Sequence, residues 1–278
     1  MRSELKQAWK RFGLGMLNLA IAIGLFFAVK AIAPSHVSAF WLSIIAAAIL
    51  ATAYLAGGRW IEHRHPTEFR GTGGIAEFAG GTVLGFLLFS AVMAVLWAAG
   101  AYHPSGWGTV AGLGGGAIAV LSGAIIEEVL FRGFLFRLVE IVSGTWWAVV
   151  LTSALFGFAH AANRGATVTS SIAIALEAGV LLGAAYALTG RLWFAIGLHA
   201  AWNFSEGHVF GMSVSGFASG KALIAGTLKG PAVLTGGMFG PEASLVAVVV
   251  CLSAAVFLLW RVKRLGRVRP PAWSEARA

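Results

Sequence analysis

Apolar stretches about as long as a lipid bilayer is thick recur eight times along this chain, and few folds can accommodate that. About 20 apolar residues in a helix cross the hydrocarbon core. Such stretches lie at roughly 12–33, 38–56, 79–101, 109–132, 146–163, 169–189, 192–206 and 243–260. Inside hydrocarbon every backbone polar group needs a partner within the protein, and a helix supplies one. The expected fold is therefore all-α: one integral membrane domain over 1–278 with about eight transmembrane helices. Composition agrees. Hydrophobic residues make up 58% and charged residues 11%, against about 25% charged in a soluble domain. A disordered chain, a nucleic-acid-binding domain and an ordinary soluble enzyme are excluded as readings. No small-residue cleavage site follows the first apolar run, which reads as a retained helix. A single cysteine, Cys251, leaves no intrachain disulfide to form.

The basic residues predict orientation. With a cytoplasmic N-terminus, an even number of spans returns the C-terminus to the cytoplasm. Of the 20 Lys and Arg, all but Lys30, Arg164, Lys221 and Lys229 then fall on the cytoplasmic side. This is the asymmetry of the positive-inside rule, and it accounts for most of the net charge of +9. A bacterial cytoplasmic membrane is the expected location, with the basic tail 261–278 drawn to anionic lipid. Trp9, Trp41, Trp60, Trp146, Trp147 and Trp260 fall near predicted helix ends, as an aromatic belt does. Gly81/Gly85, Gly112/Gly116 and Gly179/Gly183 have the small-xxx-small spacing of close helix crossings. The segment 207–240 is a non-cytoplasmic connection that suits a loop, a re-entrant piece or a surface helix.

Ionisable groups within spans are costly, and each calls for a reason. Glu127 and Glu128 are adjacent in an apolar helix. Glu128 and Arg132 are spaced i,i+4 and share a face, whereas Glu127 points about 100° away. The pair fits either a helix-packing ion pair with a spare carboxylate or a tuned general base. His160, four residues after Phe156, fits a core histidine or a catalyst. His199 and Asn203, again i,i+4, fit an interhelical clamp or two donors for an oxyanion. At 1.5 Å per residue, Glu127 lies about 15 Å and His199 about 12 Å from the cytoplasmic ends of their helices, with His160 deeper at about 20 Å. One cavity open to the cytoplasm is the expectation. Glu177 lies in the sixth span and either pairs with a motif residue or lines this cavity.

Glu-Glu-x-x-x-Arg (Glu127, Glu128, Arg132), Phe-x-x-x-His (Phe156, His160) and His-x-x-x-Asn (His199, Asn203) fall in order on successive helices over 109–206. In this the chain resembles the CAAX-protease and bacteriocin-processing (Abi, CPBP) family of intramembrane endopeptidases, including the type II CAAX prenyl endopeptidases. The resemblance implies a catalytic core over 109–206 that hydrolyses a peptide bond of a membrane-associated peptide or protein. Glu127 would activate a water that His160 also holds, His199 and Asn203 would stabilise the oxyanion, and Glu128 and Arg132 would support them. Two chemistries stay open. One is glutamate-dependent without a cofactor, which is preferred. In the other, zinc is held by Glu127, His160 and His199, though the chain has no His-Glu-x-x-His motif. The competing function is a proton-coupled transporter using buried Glu and His, although no repeated halves are seen.

Overall fold

In a computed structural model, residues 2–34 and 37–275 are described. The sequence Ala33-Pro34-Ser35 between the first two apolar runs suits a tight turn and is described only as far as Pro34. His36 and Arg277 lie outside the described residues.

The chain is mostly helical. Helices α1 (Arg2–Ile32), α2 (Ala39–Trp60) and α3 (Gly74–Ala98) lead into strand β1 (Tyr102–Trp107). Helix α4 (Leu113–Glu128) runs on as a π turn, Val129–Phe136, into α5 (Arg137–Ala159). Helix α6 (Val168–Ile174) passes through a second π turn, Ala175–Gly179, into α7 (Val180–Thr189). Helix α8 (Leu192–Phe204) ends in a third, Ser205–Val209. Strand β2 (Ile224–Leu228), the short α9 (Ala232–Thr235), α10 (Leu245–Arg264) and α11 (Ala272–Glu275) complete the order.

Among the described residues, five rods are long and apolar enough to cross a membrane: Glu4–Ile32, Ala39–Trp60, Gly74–Ala98, Val168–Thr189 and Leu245–Arg264. They support a multi-pass membrane protein. Protein covers only 22% of the apolar window of the first but 56% of that of Val168–Thr189, which is the interior rod. The uncovered faces carry Phe27, Phe86, Leu87, Val150 and Phe257, side chains that lipid solvates without penalty. The other three expected spans, 109–132, 146–163 and 192–206, are helical over most of their length, with π turns starting at Val129 and Ser205 and a 3-10 turn, His160–Ala162, following α5.

The all-α expectation needs one correction. β1 and β2 pair antiparallel, with Tyr102 opposite Leu228 and Trp107 opposite Ile224. They cap one end of the bundle, where two connections run side by side and satisfy each other's backbone groups. Pro104 and Gly106 bracket a bulge, and the segment's Gly and Pro content hides the strand from a periodicity reading.

Helices α3 and α8 cross closely because both are notched. A Cβ at Gly81 would lie 2.1 Å from the Phe194 carbonyl oxygen, and one at Gly85 would lie 2.3 Å from that of Leu198. The opposing Gly197 is equally tight against Phe78. Next to this crossing, Trp202 stacks edge-on to Phe89 at 5.0 Å. At the arginine-rich end, Glu62 accepts from Asn18 at 2.8 Å and pairs with Arg137 at 2.8 Å, tying α1, α2 and α5 together. Arg64 pairs with Glu68 at 2.8 Å, and Arg191 pairs with Glu77.

Candidate active site

Glu128 is completely buried and Arg132 nearly so. Nη1 of Arg132 lies 2.8 Å from Glu128 Oε1. The guanidinium stacks on Phe156, 4.5 Å from its ring centre, and Nη2 reaches the carbonyls of Ala178 and Gly179 at 3.4 and 3.3 Å. Arg132 thus joins α4 to the π turn Ala175–Gly179. On α8, His199 Nδ1 lies 2.9 Å from the same oxygen of Glu128. Nδ1–H donates to the carboxylate, which leaves Nε2 facing the cavity.

His160 sits in a 3-10 turn just past the end of α5, and its Nδ1 donates to the Phe156 carbonyl at 2.8 Å. The tautomer is therefore fixed and Nε2 is left free. Glu127 extends into the space between the two rings. Its Oε2 lies 3.9 Å from His160 Nε2 and 3.9 Å from His199 Nε2. That exceeds a direct hydrogen bond, but a single water making bonds of about 2.8 Å can span it. Among the described residues Glu127 Oε2 has no hydrogen-bond partner, and Glu127 makes no pair with Lys or Arg. Asn203, one turn beyond His199, makes no side-chain hydrogen bond among the described residues.

Two cavities meet at these side chains. An outer one of about 360 Å³ is lined by Glu127, His160, Asn203, Asn163, Ser215 and Phe217, among others. An inner one of about 20 Å³ is reached past His160, Asn203 and Ser215 and is lined by His199, Trp202, Glu177 and Glu242, among others. Glu177, Glu206 and Glu242 are buried there, close enough to feel one another's charge. Glu206 Oε2, Trp202 Nε1, Glu128 Oε2 and Arg132 Nε are buried without hydrogen-bond partners among the described residues. Of these, Trp202 lines the inner cavity, where a water can partner its Nε1–H.

The sequence reading gathered Glu127, Glu128, Arg132, His160, His199 and Asn203, and they lie together here; Glu177 lines the inner cavity. It missed Asn163, Trp202, Ser215, Glu206 and Glu242. Glu206 and Glu242 flank predicted span ends, where a carboxylate passes for an interfacial group. Their signal was an acidic residue with no cation nearby in sequence. The mouth lies at the end away from Arg137 and Arg191, from which the helical depths are counted. Helical depth measures distance from an end, whereas packing decides access, and the outer cavity is rimmed by 213–217 and 159–163, at the opposite end from Arg191.

The donor types at Glu127, His160 and His199 suit zinc, and both imidazoles have their second nitrogen bonded to an oxygen, as metal-bound histidines do. Their 3.9 Å spacings are wider than the roughly 3.3 Å that ligand bonds of about 2.0–2.1 Å imply in a tetrahedral site. No cluster of three or more His, Cys, Asp or Glu with metal-holding geometry is found among the described residues.

Residues 110–205 match the family model described as type II CAAX prenyl endopeptidase Rce1-like. The likeness is at family level and covers about 34% of the chain. It supports a general intramembrane-hydrolase role. The matched CAAX-protease-like stretch contains Glu127 to Asn203 and ends before Ser215 and Glu242. No curated protein and no solved structure matches the chain.

Proposed function

We propose that this chain is an intramembrane endopeptidase of the glutamate type that hydrolyses a peptide bond in a membrane-associated peptide or protein. The observation that carries the reading is Glu127 Oε2, unpaired and 3.9 Å from Nε2 of both His160 and His199. A water in that gap donates one proton to Glu127 and the other to His160 Nε2. As Glu127 takes its proton, the water oxygen bonds to the scissile carbonyl carbon and the carbonyl π electrons move to its oxygen. That oxyanion is met by Asn203 Nδ2–H and by the Nε2–H of a doubly protonated His199. The tetrahedral adduct collapses with cleavage of the C–N bond, and the proton held by Glu127 passes to the leaving nitrogen. Glu128 and Arg132 touch no reacting atom; they set the orientation of His199.

In the zinc alternative, Glu127, His160 and His199 hold the ion, which supplies polarisation of the carbonyl and activation of water. A base other than Glu127 is then needed. The transporter reading is favoured by the buried Glu177, Glu206 and Glu242, which resemble a proton relay. We place the protein in a bacterial cytoplasmic membrane, with eight spans and both termini cytoplasmic.

The test is cleavage of membrane-inserted peptides in liposomes, read by mass spectrometry of new termini. Glu127→Gln, His160→Ala and His199→Ala should each lower turnover by at least about 10²-fold. Activity is expected to survive exhaustive chelation, and its loss with restoration by zinc would favour the metal chemistry. Solute flux without new peptide ends would establish the transporter.

A further inference from the structure

We infer that the site is entered from the end of the bundle opposite the arginine-rich end, so that the peptide it takes lies on the non-cytoplasmic side of the membrane. The choice of a peptide rests on the hydrolase reading; the direction of entry does not.

Two independent features meet here. The first is packing. The outer cavity reaches Glu127, His160 and Asn203 between the α5–α6 connection and the turn Val214–Phe217. Both belong to the end that carries the β1–β2 pair and the N-termini of α4, α6 and α10. Toward the other end, buried Glu128 and Arg132 are backed by buried Phe134, Phe136, Leu192 and Ile196. Beyond them lies the Glu62–Arg64–Arg137 network. That end is sealed by apolar side chains and then by ion pairs.

The second is charge. The sealed end carries Arg59, Arg64, Arg70, Arg191, Arg261 and Arg269, whereas the open end carries Arg164, Lys221 and Lys229. Basic residues are retained on the cytoplasmic side, so the sealed end faces the cytoplasm and the mouth faces away from it.

The rim of the mouth is built rather than slack. Val214 and Phe217 pair through both backbone groups at 2.9 and 2.8 Å. Between them Ser215 (φ 49°) and Gly216 (φ 84°) both take the positive φ that a type I′ turn requires. The Ser215 N–H donates to Glu242, its carbonyl accepts from Asn163 at 3.0 Å, and the Gly216 N–H donates to the Phe239 carbonyl at 2.7 Å. The turn is fixed to the wall of the inner cavity, with Phe217 left 63% exposed at the lip. A polypeptide emerging from the bilayer on this side meets Phe217 first and Glu127 next.

Single cysteines in a Cys251→Ala background test this, using a membrane-impermeant maleimide on bacterial spheroplasts that express the full chain. Phe217→Cys at the lip and Glu127→Cys in the cavity should react before permeabilisation, and Arg70→Cys only after it. Reaction of Arg70→Cys in intact spheroplasts, or of the other two only after permeabilisation, overturns the inference. A variant that fails to fold is recognised by its unfolding curve in detergent, and Lys229→Cys then replaces Phe217→Cys with the same expected outcome. Labelling does not depend on hydrolysis. The expected pattern together with undiminished cleavage by Glu127→Gln would reject the hydrolase reading alone.

Discussion

His199 Nδ1 and Glu128 Oε1 are 2.9 Å apart, and that single oxygen also takes Arg132 Nη1 at 2.8 Å. One buried carboxylate therefore links α8 to α4 and, through Arg132, to the π turn before α7. Removing it strands a buried guanidinium. Glu128→Ala should cost about 3–5 kcal/mol of stability, read by thermal unfolding in detergent micelles. The double variant Glu128→Leu/Arg132→Met removes both charges and should recover most of that loss, while leaving His199 unoriented and turnover low. Equal instability of the single and double variants would contradict the pairing.

Asn203 offers a cleaner separation of stability from activity, because it makes no side-chain hydrogen bond among the described residues. Asn203→Ala should leave the unfolding temperature unchanged and lower kcat by about 10²–10³-fold, with KM nearly constant. A change confined to KM would assign Asn203 to ground-state binding.

The Ser215 N–H has a carboxylate acceptor in Glu242. Glu242→Ala should leave it buried without one, a cost of about 1–3 kcal/mol, and hydrogen exchange should accelerate across 214–217. Glu242→Gln keeps an acceptor oxygen and should preserve protection. Identical exchange in both variants would show that the turn does not depend on this contact.

Bulk at Gly85 should be felt at a distance. Its missing Cβ stands 2.3 Å from the carbonyl of Leu198, the residue before His199. Gly85→Val should destabilise the α3–α8 crossing by about 1–3 kcal/mol or more and also reduce turnover. Gly123→Ala, where nothing lies within 4 Å of the added carbon, should do neither.

At the arginine-rich end, burial raises the Glu140 carboxyl above its ordinary range, opposed by the Thr145 hydroxyl and by Arg269. The folded state thus holds this proton more tightly than the unfolded chain. Its contribution to stability is complete below the ordinary carboxylate pKa and is lost as pH rises through the elevated folded value. Glu140→Gln still accepts from Thr145 and should flatten that decline in unfolding temperature measured against pH. A wild type whose stability climbs over the same window would refute the assignment.

Much of this molecule was legible from spacing. The apolar runs marked the rods, and charges inside them marked Glu127, Glu128, Arg132, His160 and His199, because an ionisable group in hydrocarbon has few reasons to persist. Gly81 and Gly85 announced a close crossing, although the same spacing at Gly112 and Gly116 did not produce one: nothing lies near Gly112, and only the His208 ring lies against Gly116. The misses share a cause. Ser215, Glu242 and the two strands act through contacts between distant segments, which no local period encodes. Distance along a helix likewise did not show at which end the mouth lies, because access depends on which side chains fill the space.

Three of the site's helical rods contain a π turn, at Val129–Phe136, Ala175–Gly179 and Ser205–Val209. An i→i+5 turn accommodates a surplus residue and leaves the rod on either side in phase with its neighbours. Deleting one amino acid from such a stretch would let it relax to ordinary pitch with the downstream rod still in phase, whereas the same deletion in a regular turn would swing everything downstream by about 100°. The scaffold should therefore tolerate loss of a residue within these turns better than in the regular helix on either side. A scan of single-codon deletions should find its most damaging positions in the regular turns of the site's rods, and milder ones within the π turns.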